Sequence, residues 1–215
     1  MSIQVSYGAN YSYSSLNDFF TYASEFFTNT TYDENIGSFA GTENPDPIVD
    51  LGFSGNFGTF SGTQFVQEGT SSDGSLGFIV QAADGSYLDY SFFSSPSHTI
   101  YGEIASITFG YGITQDANGE YSFTDELVSF DGLDTIGLNA GIDASGNVIN
   151  RTTGDNTTHN IVDGLKDAEF DYFTTLLSEL SENGIDLTLN DISGSSLASL
   201  DTIGVSSFVE YELVA

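Results

Sequence analysis

Tyr87-Leu88-Asp89-Tyr90-Ser91-Phe92-Phe93 and Thr99-Ile100-Tyr101-Gly102-Glu103-Ile104-Ala105-Ser106-Ile107-Thr108-Phe109 flank the loop Ser94-Ser95-Pro96-Ser97 and His98. Both runs are rich in aromatic and β-branched residues, and a proline-bearing loop separates them. That pattern predicts two successive antiparallel strands. The same grain extends outward. From Leu51 to about Gly132, segments rich in Phe, Ile, Val, Tyr and Thr alternate with turn clusters such as Ser72-Asp73-Gly74 and Asp84-Gly85. Upstream the period changes. Leu16, Phe19, Phe20, Ala23, Phe26 and Phe27 recur at three- and four-residue spacing, which predicts one apolar helix face. Ser15 with Asp18 three residues on is a helix start, and Thr28-Asn29-Thr30-Thr31 ends the pattern. A polar loop rich in Gly and Pro then runs to about Asp50. Leu133 to Thr157 reads as turns with a short strand. The helical period returns near Thr158, with a stripe of Phe170, Phe173, Leu176, Leu177 and Leu180 stopping at Asn183-Gly184, and a short helix is expected around Ser195 to Leu200. Without a repeat period or a linker, residues 1–215 read as a single α+β domain: a curved antiparallel sheet packed on one side by several helices.

Composition narrows the function. A chain of 215 residues can bury roughly 70% of its unfolded surface, and 14% aromatic content gives it the material for a real core. The formal net charge is -29, from 31 Asp and Glu against Arg151 and Lys166. Phosphate neutralisation needs cations, so nucleic acid is excluded as a partner, and an anionic membrane surface would repel the chain. Solubility, with adaptation to a salty habitat, accounts for such acidity. A calcium role lacks the Asp-x-Asp-x-Asp-Gly loop that would carry it. There is no cysteine, hence no disulfide or thiolate site. Met1-Ser2-Ile3-Gln4-Val5-Ser6-Tyr7 has neither the basic region nor the apolar run of a classical signal peptide. No segment approaches the ~20 apolar residues that span a bilayer, so stable membrane insertion is not expected. Enzyme motifs are missing too: there is no nucleophile elbow, phosphate loop or zincin signature, and no enzymatic activity is expected.

The chemistry gathers around Tyr90 and His98, one of only two histidines. A phenolate is a hard donor suited to Fe(III), and tyrosine can hold haem iron axially. A histidine hydrogen-bonded to that oxygen would orient it and tune its basicity. On spacing alone, a phenol and an imidazole eight residues apart also read as plain neighbours in a sheet.

Tyr90 to His98, followed by Thr99-Ile100-Tyr101-Gly102 and Ile107-Thr108-Phe109-Gly110, resembles the haem-ligand region of the HasA-type haemophores. Five further segments resemble the same family in the same order. They are Val5-Ser6-Tyr7, Leu16-Asn17-Asp18-Phe19-Phe20-Thr21-Tyr22-Ala23-Ser24, Phe60-Ser61-Gly62-Thr63-Gln64-Phe65, His159-Asn160-Ile161-Val162-Asp163-Gly164-Leu165 and Glu212-Leu213-Val214-Ala215. The resemblance implies a secreted, extracellular protein that captures ferric haem b and hands it to an outer-membrane haem receptor after taking it from haem-donor proteins. It implies export through a type I system, with residues from about 205 to 215 as the C-terminal secretion signal. Tyr90 is then the iron ligand and His98 its partner, with haem affinity falling as His98 takes up a proton in mild acid. Phe92, Phe93 and Tyr101 are the candidates for porphyrin contact. The family's second axial ligand usually comes from a histidine on the long loop, and this loop has none; related proteins hold haem through the tyrosine alone, and Tyr90 as the only protein ligand is the favoured reading. Tyr32 stands at roughly that position; Tyr32 ligates, water or nothing fills the site, or the loop merely covers the haem. His159, near a helix start, is expected to face solvent, and Lys166 and Arg151 to pair with surface acids. The rival reading is an acidic, calcium-stabilised surface or adhesin-like module exported by the same route.

Overall fold

In a computed structural model, the described residues are 3–27, 37–48, 60–71, 74–92, 95–134, 139–179 and 200–202. The chain opens with strand β1 (Gln4–Tyr7) and helix α1 (Leu16–Phe27), followed by β2 (Ser38–Ala40), β3 (Ser61–Gly62), β4 (Gln64–Ser71) and β5 (Gly74–Ala82). Next come β6 (Leu88–Ser91), β7 (Thr99–Tyr101), β8 (Ile104–Gln115) and β9 (Tyr121–Asp131). A 3₁₀ turn (Arg151–Thr153), α2 (Thr157–Lys166), α3 (Asp171–Glu179) and β10 (Leu200–Thr202) complete it. The large sheet has the order β10-β1-β9-β8-β5-β4-β2, antiparallel at each pairing. Bulges at Gln81/Ala82 and Phe109/Gly110 bend β5 and β8. A second sheet, β3-β6-β7, carries Tyr90.

The expected α+β fold is the observed one, because alternation sorts the large sheet cleanly. On β5, Leu76, Phe78, Val80 and Ala82 face the helices, while Ile79 faces a smaller cluster with Ala40, Val66 and Phe123. Helix α1 buries the same six residues whose spacing predicts it. Ser15 Oγ accepts the Asp18 N–H at 3.0 Å and so satisfies one orphan donor of the first turn. The α1 rings interleave with the sheet and the later helices: Phe19 meets Phe109 edge-on at 5.2 Å, and Phe20 lies 5.3 Å from Phe170. Gly69 permits this approach, since a Cβ there would lie 2.6 Å from the Phe26 carbonyl oxygen.

Three expectations change. The run Thr99 to Phe109 is not one strand. It breaks at Gly102, whose φ of +128° suits glycine and whose Cβ would run into the Tyr87 carbonyl, so β7 and β8 belong to different sheets. The helical stretch after Thr158 divides into α2 and α3 at Ala168, which takes φ +60°. Leu200, expected to end a helix, instead opens β10, which pairs with β1. The other residues of that expected helix, the expected stop at Asn183-Gly184 and the expected secretion signal from about 205 to 215 lie outside the described residues.

Candidate functional site

β6 is four residues long, and its pleat sends Tyr90 to one face and Asp89 and Ser91 to the other. The Tyr90 N–H bonds to the Phe60 carbonyl at 2.8 Å, so the β3 side of β6 is held from outside the strand. Across β7, Tyr90 stands opposite Ile100. Beyond β6 the chain turns back so that His98 Nδ1 lies 3.0 Å from the Tyr90 hydroxyl. Buried hydroxyls hold that turn: Ser91 Oγ donates to the Pro96 carbonyl and approaches the Thr99 carbonyl at 3.3 Å, and Thr99 Oγ1 donates to the Ser97 carbonyl at 3.1 Å. His98 itself takes φ +55°, a conformation that L-residues adopt sparingly and that aims its ring back at the strand.

Aromatic rings surround the pair. Phe60 stacks on Tyr90 at 6.2 Å and on Phe92 at 5.9 Å. Phe92 meets the His98 ring edge-on at 4.8 Å, and Phe39 lies 6.5 Å from Tyr90. Tyr90 is half-buried and His98 exposed, so the phenol oxygen is reached from outside while its ring rests on apolar surface. This arrangement suits a flat, largely apolar ligand with an oxygen-seeking ferric centre. A phenol is a hard oxygen donor, and Nδ1 of a neutral imidazole can accept a hydrogen bond from it at this distance. Among the described residues no three His, Asp or Glu side chains converge on a metal position.

The sequence-based candidates fare unevenly. Tyr90, His98 and Phe92 come together. Tyr101 does not join them: it pairs with Asp89, on the face away from Tyr90, and is 1% exposed. Phe93 and Tyr32 lie outside the described residues. Phe39 and Phe60 were missed as neighbours of Tyr90, although Phe60 opens one of the segments that resembles the haemophores. His159 is corrected outright: it is buried, not solvent-facing, and its Nδ1 accepts the Ile100 N–H at 3.3 Å. Burial holds its imidazole below the ordinary histidine range, with Asp163 pulling the other way and Arg151 and Lys166 reinforcing the drop. Lys166 pairs with Asp163 at 3.9 Å.

Behind Tyr90, Asp89 is 4% exposed. Its Oδ2 accepts from Asn44 Nδ2 at 2.8 Å, while Oδ1 finds no donor among the described residues. Burial pushes this carboxyl above the usual carboxylate range, against the opposing pull of the Asn44 bond. The Asn44 N–H also donates to Ser61 Oγ at 3.0 Å, so one loop residue ties β3 and β6 together.

Comparison with known proteins bears on the fold and the family. The family model described as heme-binding protein A (HasA) matches residues 1–212. The hemophore HasA of Serratia marcescens is 27% identical over 164 residues, covering 75% of this chain and 78% of that protein. The apo hemophore HasA of Yersinia pestis superposes with a TM-score of 0.60 at 22% identity, covering 90% of this chain and 98% of the other. The holo form of the Yersinia pestis protein gives 0.57 at 23% identity, over 83% and 89%. With its family model matched almost end to end, the chain belongs to the HasA family of haem-binding proteins, which are carriers and not enzymes.

Proposed function

We propose that this protein is an extracellular haemophore. It captures ferric haem b through the Tyr90 oxygen and passes it to an outer-membrane receptor. The observation that carries the reading is the 3.0 Å contact between the Tyr90 hydroxyl and His98 Nδ1 within a group of aromatic rings. An unliganded phenol titrates near 10, so at neutral pH it must lose its proton on meeting the iron. His98 is positioned to accept that proton at Nδ1 and to return a hydrogen bond to the resulting phenolate. The charged donor bond stabilises the phenolate more than a neutral one would, by about 1 kcal/mol. Haem itself supplies the iron and four equatorial nitrogens. The chain supplies an axial oxygen, a proton acceptor and an apolar bed of Phe39, Phe60 and Phe92.

A phenolate favours ferric over ferrous iron, which suits a carrier that must give up its cargo. Tyr90 is the only protein ligand in this proposal, with Tyr32 as the alternative second ligand; export by a type I system with a signal from about 205 to 215, haem-donor proteins and the receptor belong to it as well. The relatives named hemophores favour this over a calcium-stabilised adhesin. Hemin titration of the apo-protein tests it. Wild type should bind one equivalent with a Soret band and a tyrosinate-like ferric spectrum, and Tyr90→Phe should lose that spectrum and bind at least a hundredfold more weakly. Equal, weak binding by both proteins would remove Tyr90 from the site.

A further inference from the structure

β7 is an edge strand of the small sheet, and among the described residues its outer edge carries no neighbouring strand. The pleat leaves the Ile100 N–H and carbonyl pointing away from β6, where an unpaired edge would meet solvent or another chain. Side chains from the start of α2 take the place of a strand. His159 Nδ1 accepts the Ile100 N–H at 3.3 Å, Asn156 Nδ2 donates to the Ile100 carbonyl at 3.1 Å, and Thr158 Oγ1 donates to the Gly102 carbonyl at 2.7 Å. All three side chains are buried, with Asn156 completely so. Asn156 also caps α2 by accepting the His159 N–H at 2.9 Å, so the cap and the clasp are one structure. Two of the three contacts survive any pH. The third needs a lone pair on Nδ1, which exists only while the imidazole is neutral.

We propose that His159 is a positioning residue for the haem site: its neutral imidazole fastens β7 to α2, and a proton on Nδ1 unfastens β7 and the His98 turn that leads into it, so that mild acid lowers haem retention through α2. The inference rests on the haemophore reading for its function, but the clasp itself does not. The charged groups acting on the imidazole are Asp163 and Lys166 on its own helix and Arg151 in the preceding 3₁₀ turn, while β7 brings the uncharged Ile100 amide. Asp163 Oδ2 stands 3.7 Å from Nε2 and is ready to receive the imidazolium once Nδ1 turns from Ile100. Burial favours the neutral form, so the clasp is closed at neutral pH and opens only below the ordinary histidine range. Protonation converts an acceptor into a donor facing a donor, and the lost bond corresponds to about a five- to tenfold change in opening.

The test uses the full chain. In apo-protein, NMR would give the Ile100 amide protection factor, corrected for intrinsic exchange, between about pH 7.5 and 5 for wild type, His159→Asn and His159→Ala. Asn places an acceptor near the Nδ1 position and cannot titrate. Wild type should lose five- to tenfold protection as the His159 ring resonance titrates. His159→Asn should stay flat, and His159→Ala should be low throughout. In the haem complex, release to excess apomyoglobin should accelerate in acid more steeply for wild type than for His159→Asn, by the same factor. Identical pH profiles for wild type and His159→Asn in both measurements would overturn the inference and leave the haemophore reading standing. Failure of wild type to bind haem would overturn the haem reading and with it the role assigned here, whatever the amide shows.

Discussion

Asp89 and Tyr90 are consecutive and chemically opposed. One holds a carboxyl in a place that resists charge, and the other brings its phenol to the His98 ring. The same pleat that exposes Tyr90 condemns Asp89 to the interior, with one of its two oxygens lacking a donor among the described residues. A carboxyl whose folded pKa is raised favours the protonated form in the folded state. Its contribution to stability is therefore fully present in acid and is lost as the pH rises through the raised value. Asp89→Asn keeps an acceptor for Asn44 and removes the charge. The apo-protein carrying it should melt higher than wild type at pH 7, by on the order of 1 kcal/mol, with the gap closing towards pH 4. A variant that melts well below wild type at pH 7 would mean that a donor holds the ionised oxygen. That Tyr90 and His98 meet was legible through the resemblance of the words around them to the haemophores; their interval alone reads equally as two neighbours in a sheet. Asp89 was overlooked, though an acid flanked by Leu88 and Tyr90 in a strand is a signal of its own. His159 misled because Thr157-Thr158-His159-Asn160 looks like a polar helix start; only the contact with a strand 59 residues away shows the ring buried.

At the scale of elements, what the sequence shows well is what is decided locally. α1 is set by six apolar residues on one face and a serine cap, and both can be seen without the rest of the chain. Ser15→Ala should therefore cost about 1 kcal/mol in denaturant unfolding, while hemin affinity stays within twofold of wild type. A loss of affinity equal to that of a site variant would place α1 in the haem pocket. The breaks are harder to see. Gly102 sits inside a pattern that reads as one unbroken strand, and only the close approach of Tyr87 makes the bend obligatory. Ala168 ends α2 in a left-handed conformation without the glycine that normally announces it. The turns around Asp116 and Asp143 show why acidity need not mean calcium. The Asp116 carboxylate accepts the N–H groups of Asn118 and Glu120, and Asp143 does the same for Ser145 and Asn147. These backbone donors hold both carboxyls below the usual carboxylate range.

Taken whole, the molecule carries a net charge of -29, from 31 acidic residues against two basic ones. Like charges repel across such a surface, and the folded state brings them closer than the unfolded chain does. Salt should accordingly raise the melting temperature of the apo-protein between about 10 mM and 150 mM NaCl, where the screening length shortens from ~30 Å to ~8 Å. A flat or falling curve would show that the charges are spaced widely enough to ignore one another. The aromatic neighbourhood of Tyr90 also belongs to this scale. Phe39 comes from β2, Phe60 stands beside β3, and Phe92 follows β6. Each is an ordinary apolar residue in its own segment, and no local spacing announces that the three meet. Their meeting depends on two sheets closing over one another, which is a property of the complete chain.

The clasp on β7 has a meaning beyond the pocket. A free strand edge invites recruitment: another polypeptide can lay itself alongside and continue the sheet, the first step towards fibrils. Asn156, Thr158 and His159 fill that seat with side chains that cannot template a further strand. Vacating the seat would turn a sealed border into an adhesive one, so the histidine would guard against self-association as well as holding a strand in place.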